Sequence, residues 1–236
     1  MQDINVFTCV KSQILNLTRY NDIFSSLTTY YIKLEKIVSC SGEVLGYEFL
    51  LDFEKAKKDG DWVLKEYKKS IYDSSAIDFT IKKIMSSKMN LNVKRIFLNF
   101  ERMHLCNYLL LQRMVLFSKE LFLHDIELVL EITERNECNN CQKIYSGLSF
   151  LKRMGVALAI DDFDIYGSDF RMSEVLAGMY DYIKIEMPIN ESQRELFNRF
   201  SIDFKIGKII LEKVEDIEEV NDLVKPFALQ GFFLKS

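Results

Sequence analysis

The sequence contains few residues that interrupt regular secondary structure, with only two prolines and nine glycines among 236 residues. No linker rich in serine, glycine or proline divides it. We therefore predict one continuous domain over residues 30–236, with a helical segment over residues 1–29 packed against it. A run of 18 apolar residues, which a membrane span requires, is also absent. The N-terminus lacks a basic region followed by an apolar run, so no secretory signal is predicted.

Positive charge is not in excess, because the formal net charge is −4 at pH 7 and the lysines are interleaved with acidic residues. This excludes the charge pattern of a DNA-binding protein. Hydrophobic residues make up 48% of the chain, with 18 Phe and 11 Tyr, which is enough for a large core and excludes intrinsic disorder. The five cysteines form no disulfide framework, which favours a reducing cytoplasm.

One cysteine pair, Cys138 and Cys141 in the segment CNNC, has the spacing of a zinc or redox motif. A structural zinc site needs four ligands, but there is no second such pair, and His104 and His124 are far apart in the sequence. The segment is a polar connection, whereas a redox motif lies at a strand-to-helix turn. We interpret the two cysteines as ordinary thiols.

Short apolar runs alternate with amphipathic segments along the chain. Strands are predicted over residues 43–51, 95–100, 126–132, 156–162, 182–185, 208–214 and 227–233. Helices are predicted over residues 73–89, 141–155, 173–180 and 216–225. This alternation indicates an α/β fold with a parallel sheet covered by helices, and the number of repeats favours a TIM-like (β/α) barrel.

Polar or charged residues stand near the carboxyl ends of the predicted strands. They are Glu48, Asn99, Glu131, Asp161, Asp162, Lys184, Glu212, Glu215 and Gln230. Because the carboxyl ends of barrel strands converge on one face, we expect these side chains to meet in one pocket. A single such residue is explained by the solvation of a loop, but a series at consecutive strand ends is not.

The acidic residues of this series indicate bound cations. Five carboxylates cannot all stay ionised around one lysine, so either their pKa values rise or cations lie among them. Oxygen ligands without histidine or cysteine favour Mg²⁺, Mn²⁺ or Ca²⁺ over zinc. Adjacent aspartates can bind two ions, and ions about 3.5–4 Å apart suit hydrolysis of a phosphodiester. Lys184 would orient the water or offset charge on the phosphoryl oxygens.

The motifs that carry these residues resemble, in order, those of the EAL domain, the bacterial cyclic di-GMP phosphodiesterase family. The resemblance extends over residues 30–235 and rests on the segments GEVLGYEFLL, FLNF, LEITE, LAIDDF, DYIKIE, ILEKVED and LQGFFLKS. It implies a TIM-like barrel modified by an antiparallel first strand. It also implies hydrolysis of cyclic di-GMP to linear pGpG by a metal-activated water, with two Mg²⁺ or Mn²⁺ ions as cofactors.

The resemblance assigns a role to each matching residue. The implied metal ligands are Glu48, Asn99, Glu131, Asp161, Asp162 and Glu212. The implied catalytic residues are Lys184, Glu212 and Glu48. The residues implied to bind substrate or support the site are Gln230, Glu134, Glu215 and Leu50.

Several positions depart from the family pattern. Asp164 replaces a glycine and a second glycine is displaced to Gly167, in a loop that in the family supports the second metal and a dimer contact. Asp52 replaces an arginine that contacts phosphate, so its negative charge is expected to weaken substrate affinity. Glu35 replaces a glutamine, and Lys213 replaces a glycine. Whether this chain forms a homodimer stays open.

Three functions are compatible with these motifs. The first is an active, stand-alone phosphodiesterase that lowers the concentration of the second messenger. The second is a degenerate EAL protein that regulates by binding a protein partner, with little or no catalysis, and the altered loop and Asp52 favour it. The third is a receptor that binds the dinucleotide without cleaving it. Retention of Lys184 and both aspartates favours the enzyme, because a receptor needs no activated water.

Overall fold

The computed structural model describes residues 30–86, 93–135, 141–203 and 208–231. Within these ranges, eight strands close into a barrel in chain order. The strands are β1 (Ile32–Val38), β2 (Val44–Leu51), β3 (Arg95–Phe100), β4 (Glu127–Ile132), β5 (Ala157–Ile160), β6 (Tyr182–Glu186), β7 (Lys208–Val214) and β8 (Ala228–Gly231). The helical segment predicted over residues 1–29 and Cys138 of the cysteine pair lie outside the described residues.

The first strand differs from the others in direction. β1 is antiparallel to both β2 and β8, whereas each neighbouring pair from β2 to β8 is parallel. The predicted TIM-like α/β barrel with an antiparallel first strand is therefore confirmed. Because β1 is reversed, its N-terminal half lies beside the carboxyl end of β2, and Glu35 pairs in register with Glu48.

Helices follow most of the strands. They are α1 (Phe53–Lys58), α2 (Asp61–Asp73), α3 (Ser75–Ser86), α4 (Tyr108–Phe122), α5 (Gln142–Arg153), α6 (Met172–Leu176) and α7 (Glu191–Asp203), with 3₁₀ turns at Arg102–Cys106 and Ile217–Val220. None of the helices in the described part of the chain is long and apolar enough to cross a membrane.

Two predicted helices are shorter in the structure. The helix predicted over residues 216–225 is wrong in extent, because only the 3₁₀ turn at Ile217–Val220 forms. Pro226 follows this segment and disfavours helical backbone at the residue before it. The helix predicted over residues 173–180 ends at Leu176, two residues before Gly178, which has a left-handed φ of 67°.

The barrel interior is filled in layers. Seven strands each contribute one residue to a buried apolar layer, which consists of Ile37, Phe97, Val129, Ala159, Tyr182, Ile210 and Ala228. Residues two apart along a strand face the same side of the sheet. The next inward-facing residues toward the carboxyl ends therefore form the layer directly above this apolar floor.

Candidate active site

The candidate site is this upper layer, and it is polar. Two positions beyond the apolar residues of six strands come Asn99, Glu131, Asp161, Lys184, Glu212 and Gln230. Glu48 of β2 joins them, because its carboxylate contacts Asn99, Lys184 and Gln230 of this layer. The alternation of the strands thus places on one level the polar side chains that the sequence distributes over 180 positions.

Lys184 connects the acidic members of this layer, and only 1% of its surface is exposed. Its Nζ lies 2.9 Å from Glu212 Oε1 and 3.0 Å from Glu131 Oε1. The same atom lies 3.1 Å from Glu48 Oε2 and 3.1 Å from Asp161 Oδ1. Four carboxylates from four strand ends therefore share one ammonium group.

Burial and the charges of neighbouring groups shift the pKa values of these side chains. Burial raises the pKa of the Glu131 carboxyl well above its ordinary value, and the nearby charge of Glu48 raises it further. Burial likewise raises the pKa of Glu212 to about 7. Burial alone would lower the pKa of Lys184, but the surrounding carboxylates raise it well above its ordinary value. Without a metal, part of the cluster therefore holds protons at neutral pH.

Glu48 is held in place by two amides. Its Oε1 accepts a hydrogen bond from Asn99 Nδ2 at 2.9 Å, and its Oε2 accepts one from Gln230 Nε2 at 2.7 Å. Burial raises the pKa of this carboxyl, but the charge of Lys184 and the hydrogen bonds with Glu131 and Gln230 outweigh that and leave the pKa below its ordinary value. Gln230 Nε2 also lies 3.3 Å from Glu35 Oε2.

The aspartate pair lies in the turn after β5. Asp162 has a left-handed φ of 44°, which is uncommon for a residue other than glycine. One carboxylate oxygen of each of Glu134, Asp161 and Asp162 lies within 4.8 Å of the others, close enough to bind one cation. Burial raises the pKa of Asp162, and the charges of Asp161 and Glu134 add to this.

The polar layer forms the floor of a cleft of about 490 Å³ at the carboxyl end of the barrel. Leu50, Glu134 and the basic residues Lys36, Arg135 and Lys213 line it together with the members of the layer other than Glu131, which is fully buried. The Lys213 ammonium pairs with the Glu186 carboxylate. The cleft thus has an acidic floor, which suits a metal ion, and a partly basic rim, which suits an anionic ligand that coordinates the metal.

Three other residues singled out in the sequence, Glu215, Asp52 and Asp164, do not line the cleft. Glu215 is exposed on the segment after β7 and is not among the residues that line the cleft. Asp52 lines a neighbouring pocket, where its carboxylate caps α1 by accepting the Lys55 N–H at 2.9 Å. Asp164 closes its own loop by accepting the N–H groups of Tyr166 and Gly167, each at 2.9 Å.

Unpartnered oxygens in the polar layer fit a divalent cation. Asn99 Oδ1, Glu131 Oε2, Glu212 Oε2 and Gln230 Oε1 are buried, and none accepts a hydrogen bond from a described residue. Buried acceptors are normally satisfied, so such a group of orphaned oxygens calls for a ligand. Carboxylate and amide oxygens are the ligands that Mg²⁺, Mn²⁺ and Ca²⁺ prefer.

Some residues of the cleft were not identified from the sequence. Arg135 directly follows the LEITE motif, and its guanidinium pairs with Glu101 at 3.0 Å. Lys36 lies on the reversed strand β1, where the parallel-barrel pattern gives no signal for a place at the site. Arg135 could have been identified from the sequence, because it is a basic residue directly after the acidic end of a predicted strand.

The fold and the cleft define a TIM-like α/β barrel with a candidate metal site at the carboxyl ends of its strands. No family model matches the sequence, and no match is found among curated proteins. Solved structures are similar. The EAL domain of Mycobacterium smegmatis DcpA is 21% identical over 86% of this chain and 88% of that chain, with a TM-score of 0.59.

Two further similar structures contain ligands. Bacillus subtilis YkuI, a protein with an EAL domain solved with its substrate c-di-GMP and calcium, is 20% identical over 91% of this chain and 56% of that chain, with a TM-score of 0.65. Klebsiella pneumoniae BlrP1, in a manganese and cy-diGMP complex, is 20% identical over 86% of this chain and 54% of that chain, with a TM-score of 0.61. This chain therefore has the fold of an EAL domain, and the resemblance noted in the sequence is confirmed at the level of the fold.

Proposed function

We propose that this chain is a metal-dependent phosphodiesterase that hydrolyses cyclic di-GMP to linear pGpG. The observation that carries the proposal is the contact of one buried lysine, Lys184, with four carboxylates on the floor of an open cleft. The structures of YkuI and BlrP1, which share this fold, were solved with the same dinucleotide and with calcium or manganese.

The cation ligands that we propose are those that the resemblance to EAL domains implies, Glu48, Asn99, Glu131, Asp161, Asp162 and Glu212, which would hold Mg²⁺ or Mn²⁺. The unpartnered oxygens of Asn99, Glu131 and Glu212 support this set. The proximity of Asp161 and Asp162 also supports it, and Glu134 adds a carboxylate beside them. Two divalent cations held there would supply an acidified water molecule and would stabilise the charge that develops on the phosphoryl oxygens. A cation also compensates the repulsion that raises the pKa of Glu131 and Glu212 in its absence.

The reaction adds a water oxygen to phosphorus and breaks the bond from phosphorus to the ribose 3′ oxygen. The 3′ oxygen takes up a proton, and the product carries a 5′-phosphate. Lys184 orients the attacking water or offsets charge on the phosphoryl oxygens. Asn99 and Gln230 hold the Glu48 carboxylate in position for its proposed role as a cation ligand. Lys36 and Arg135 at the rim offset the charge of the phosphates of the dinucleotide.

Incubation of the purified protein with cyclic di-GMP and Mg²⁺ or Mn²⁺ tests this function, with the nucleotides separated by chromatography. We expect pGpG to appear and to be absent in EDTA and with Glu48→Ala. Glu43→Ala is the matched control, because Glu43 is exposed at the opposite end of β2. If the folded protein forms no pGpG with metal in excess, the phosphodiesterase is excluded and the partner-binding regulator becomes the better candidate.

A further inference from the structure

A buried arginine that does not line the cleft contacts the backbone of the aspartate pair. Arg171, only 1% exposed, comes from the end of the loop that follows β5. Its Nη1 donates to the carbonyl oxygen of Asp161 at 2.8 Å and approaches that of Ile132 at 3.4 Å. Its Nη2 donates to the carbonyl oxygen of Asp162 at 3.1 Å. One guanidinium therefore contacts the backbone of both aspartates and the carboxyl end of β4.

The charge of this guanidinium is balanced within the same loop. Asp169 accepts hydrogen bonds from Arg171 Nε at 3.0 Å through Oδ1 and from Nη2 at 2.7 Å through Oδ2. The bidentate pair fixes the plane of the guanidinium, and the remaining donor directions point at the carbonyl oxygens. Arg171 is thus oriented before any ligand binds.

The turn that Arg171 contacts has a backbone conformation that needs support. Asp162 adopts a φ of 44°, and a non-glycine residue keeps this strained conformation only where the surrounding structure enforces it. The direction of the Asp161 and Asp162 side chains follows from this backbone. A change in the turn would therefore displace both carboxylates together.

We propose that Arg171 is a positioning residue, which holds the Asp161–Asp162 turn so that both carboxylates point into the cleft and bind a divalent cation. The proposal rests on the proposed metal-dependent function and adds a residue that does not itself line the cleft. Groups that orient metal ligands in this way typically contribute about 10–100-fold to metal affinity or activity.

A second buried arginine provides the matched control. Arg102 is fully buried and pairs with Glu174 of α6, through Nη1 to Oε2 at 2.8 Å and through a contact of Nη2 with Oε1. Both arginines lie beside the ring of Phe170. The contacts described for the Arg102 guanidinium do not include the aspartate turn, so its loss removes a comparable buried pair without the positioning contact.

The experiment compares Arg171→Met, Arg171→Lys and Arg102→Met with wild type. Binding of Mn²⁺ alone is measured by electron paramagnetic resonance, hydrolysis of cyclic di-GMP is measured at saturating Mn²⁺, and thermal unfolding reports folding. Arg171→Lys keeps the buried charge beside Asp169 but lacks the planar fork that reaches both carbonyl oxygens. If Arg171→Met does not fold, the Arg171→Lys variant decides whether Arg171 positions the turn.

We expect both Arg171 variants to bind Mn²⁺ at least about tenfold more weakly than wild type, with a parallel fall in kcat. Arg102→Met should lose thermal stability but keep wild-type Mn²⁺ affinity. Folded Arg171→Lys with wild-type Mn²⁺ affinity, or an equal loss of affinity in Arg102→Met, would overturn the positioning role. Wild type that binds Mn²⁺ without hydrolysis would overturn the proposed function alone, and wild type that binds no Mn²⁺ would overturn both.

Discussion

Glu212→Gln is expected to change how the stability of the metal-free protein depends on pH. Burial raises the pKa of Glu212 to about 7 from an ordinary value of 4.5. Between these two values the folded protein keeps a proton that the unfolded chain has released. The proton therefore stabilises the folded state fully below pH 4.5, and this contribution is lost as the pH rises through 7. The pKa difference corresponds to about 3 kcal/mol.

Thermal unfolding in EDTA between pH 5 and pH 8 measures this effect. Because pH 5 already lies above the ordinary pKa of 4.5, wild type should lose about 2.5 kcal/mol more than Glu212→Gln over the interval. For a chain of this size that corresponds to a difference of about 5–10 °C in the change of Tm. Glu215→Gln, which alters an exposed carboxylate on the following segment, should behave as wild type. Equal losses in wild type and Glu212→Gln would refute the reasoning.

Adding Mn²⁺ extends the same experiment to the metal site. A cation competes with protons for the carboxylates, so it should stabilise wild type more at pH 8 than at pH 5. The stabilisation should be smaller in Glu212→Gln, which lacks one charged ligand. A Mn²⁺ effect that is independent of both pH and Glu212 would place the cation elsewhere on the protein.

The remaining predictions concern three positions around the cleft. Lys184→Met should destabilise the metal-free protein by about 3–5 kcal/mol, measured by thermal unfolding in EDTA, because four carboxylates lose a shared buried cation. Arg135→Ala should raise the KM for cyclic di-GMP several-fold and leave kcat nearly unchanged, since the side chain lies at the rim. Asp52→Ala should lower stability by about 1 kcal/mol through loss of the α1 cap, with hydrolysis retained.

An opposing result is defined for each of these predictions, and the Lys184 and Asp52 variants also have a control. Lys152→Met removes a half-exposed lysine paired with Asp181 and should cost far less than the Lys184 variant; equal costs would contradict the central role of Lys184. For Arg135, an unchanged KM at unchanged kcat would show that the rim does not bind the phosphates. For Asp52, Asp52→Asn should keep the cap, and equal destabilisation by Asn and Ala would exclude capping as the cause.

Seven of the eight described strands could be predicted from the sequence because their signal is local, whereas β1 was not among the predicted strands. Residues 95–100 and 208–214 coincide with β3 and β7, where apolar side chains face both the interior and the helices. Helices were harder to identify. The outer face of α4 exposes Leu109 and Leu116, by 70% and 66%, which obscures the amphipathic period that would identify this helix. The helix predicted over residues 216–225 is wrong in extent because Pro226 disfavours helical backbone at the residue before it, and only the 3₁₀ turn at Ile217–Val220 forms.

The sequence by itself determined which polar residues end the strands and in what order. A side chain two positions beyond a buried strand residue must face the same way, and this rule needs no knowledge of distant contacts. The resemblance to EAL domains rests on this same series, from Glu48 to Gln230.

Only the tertiary structure decided which of these residues meet. Closure of the barrel brings four carboxylates into contact with the Lys184 ammonium group and leaves Glu215 exposed outside the cleft. It also places Arg171 beside the Asp161–Asp162 turn, where its guanidinium donates hydrogen bonds to both carbonyl oxygens. Such contacts join residues on separate elements, so they depend on strand register and loop path, which the local sequence pattern does not specify.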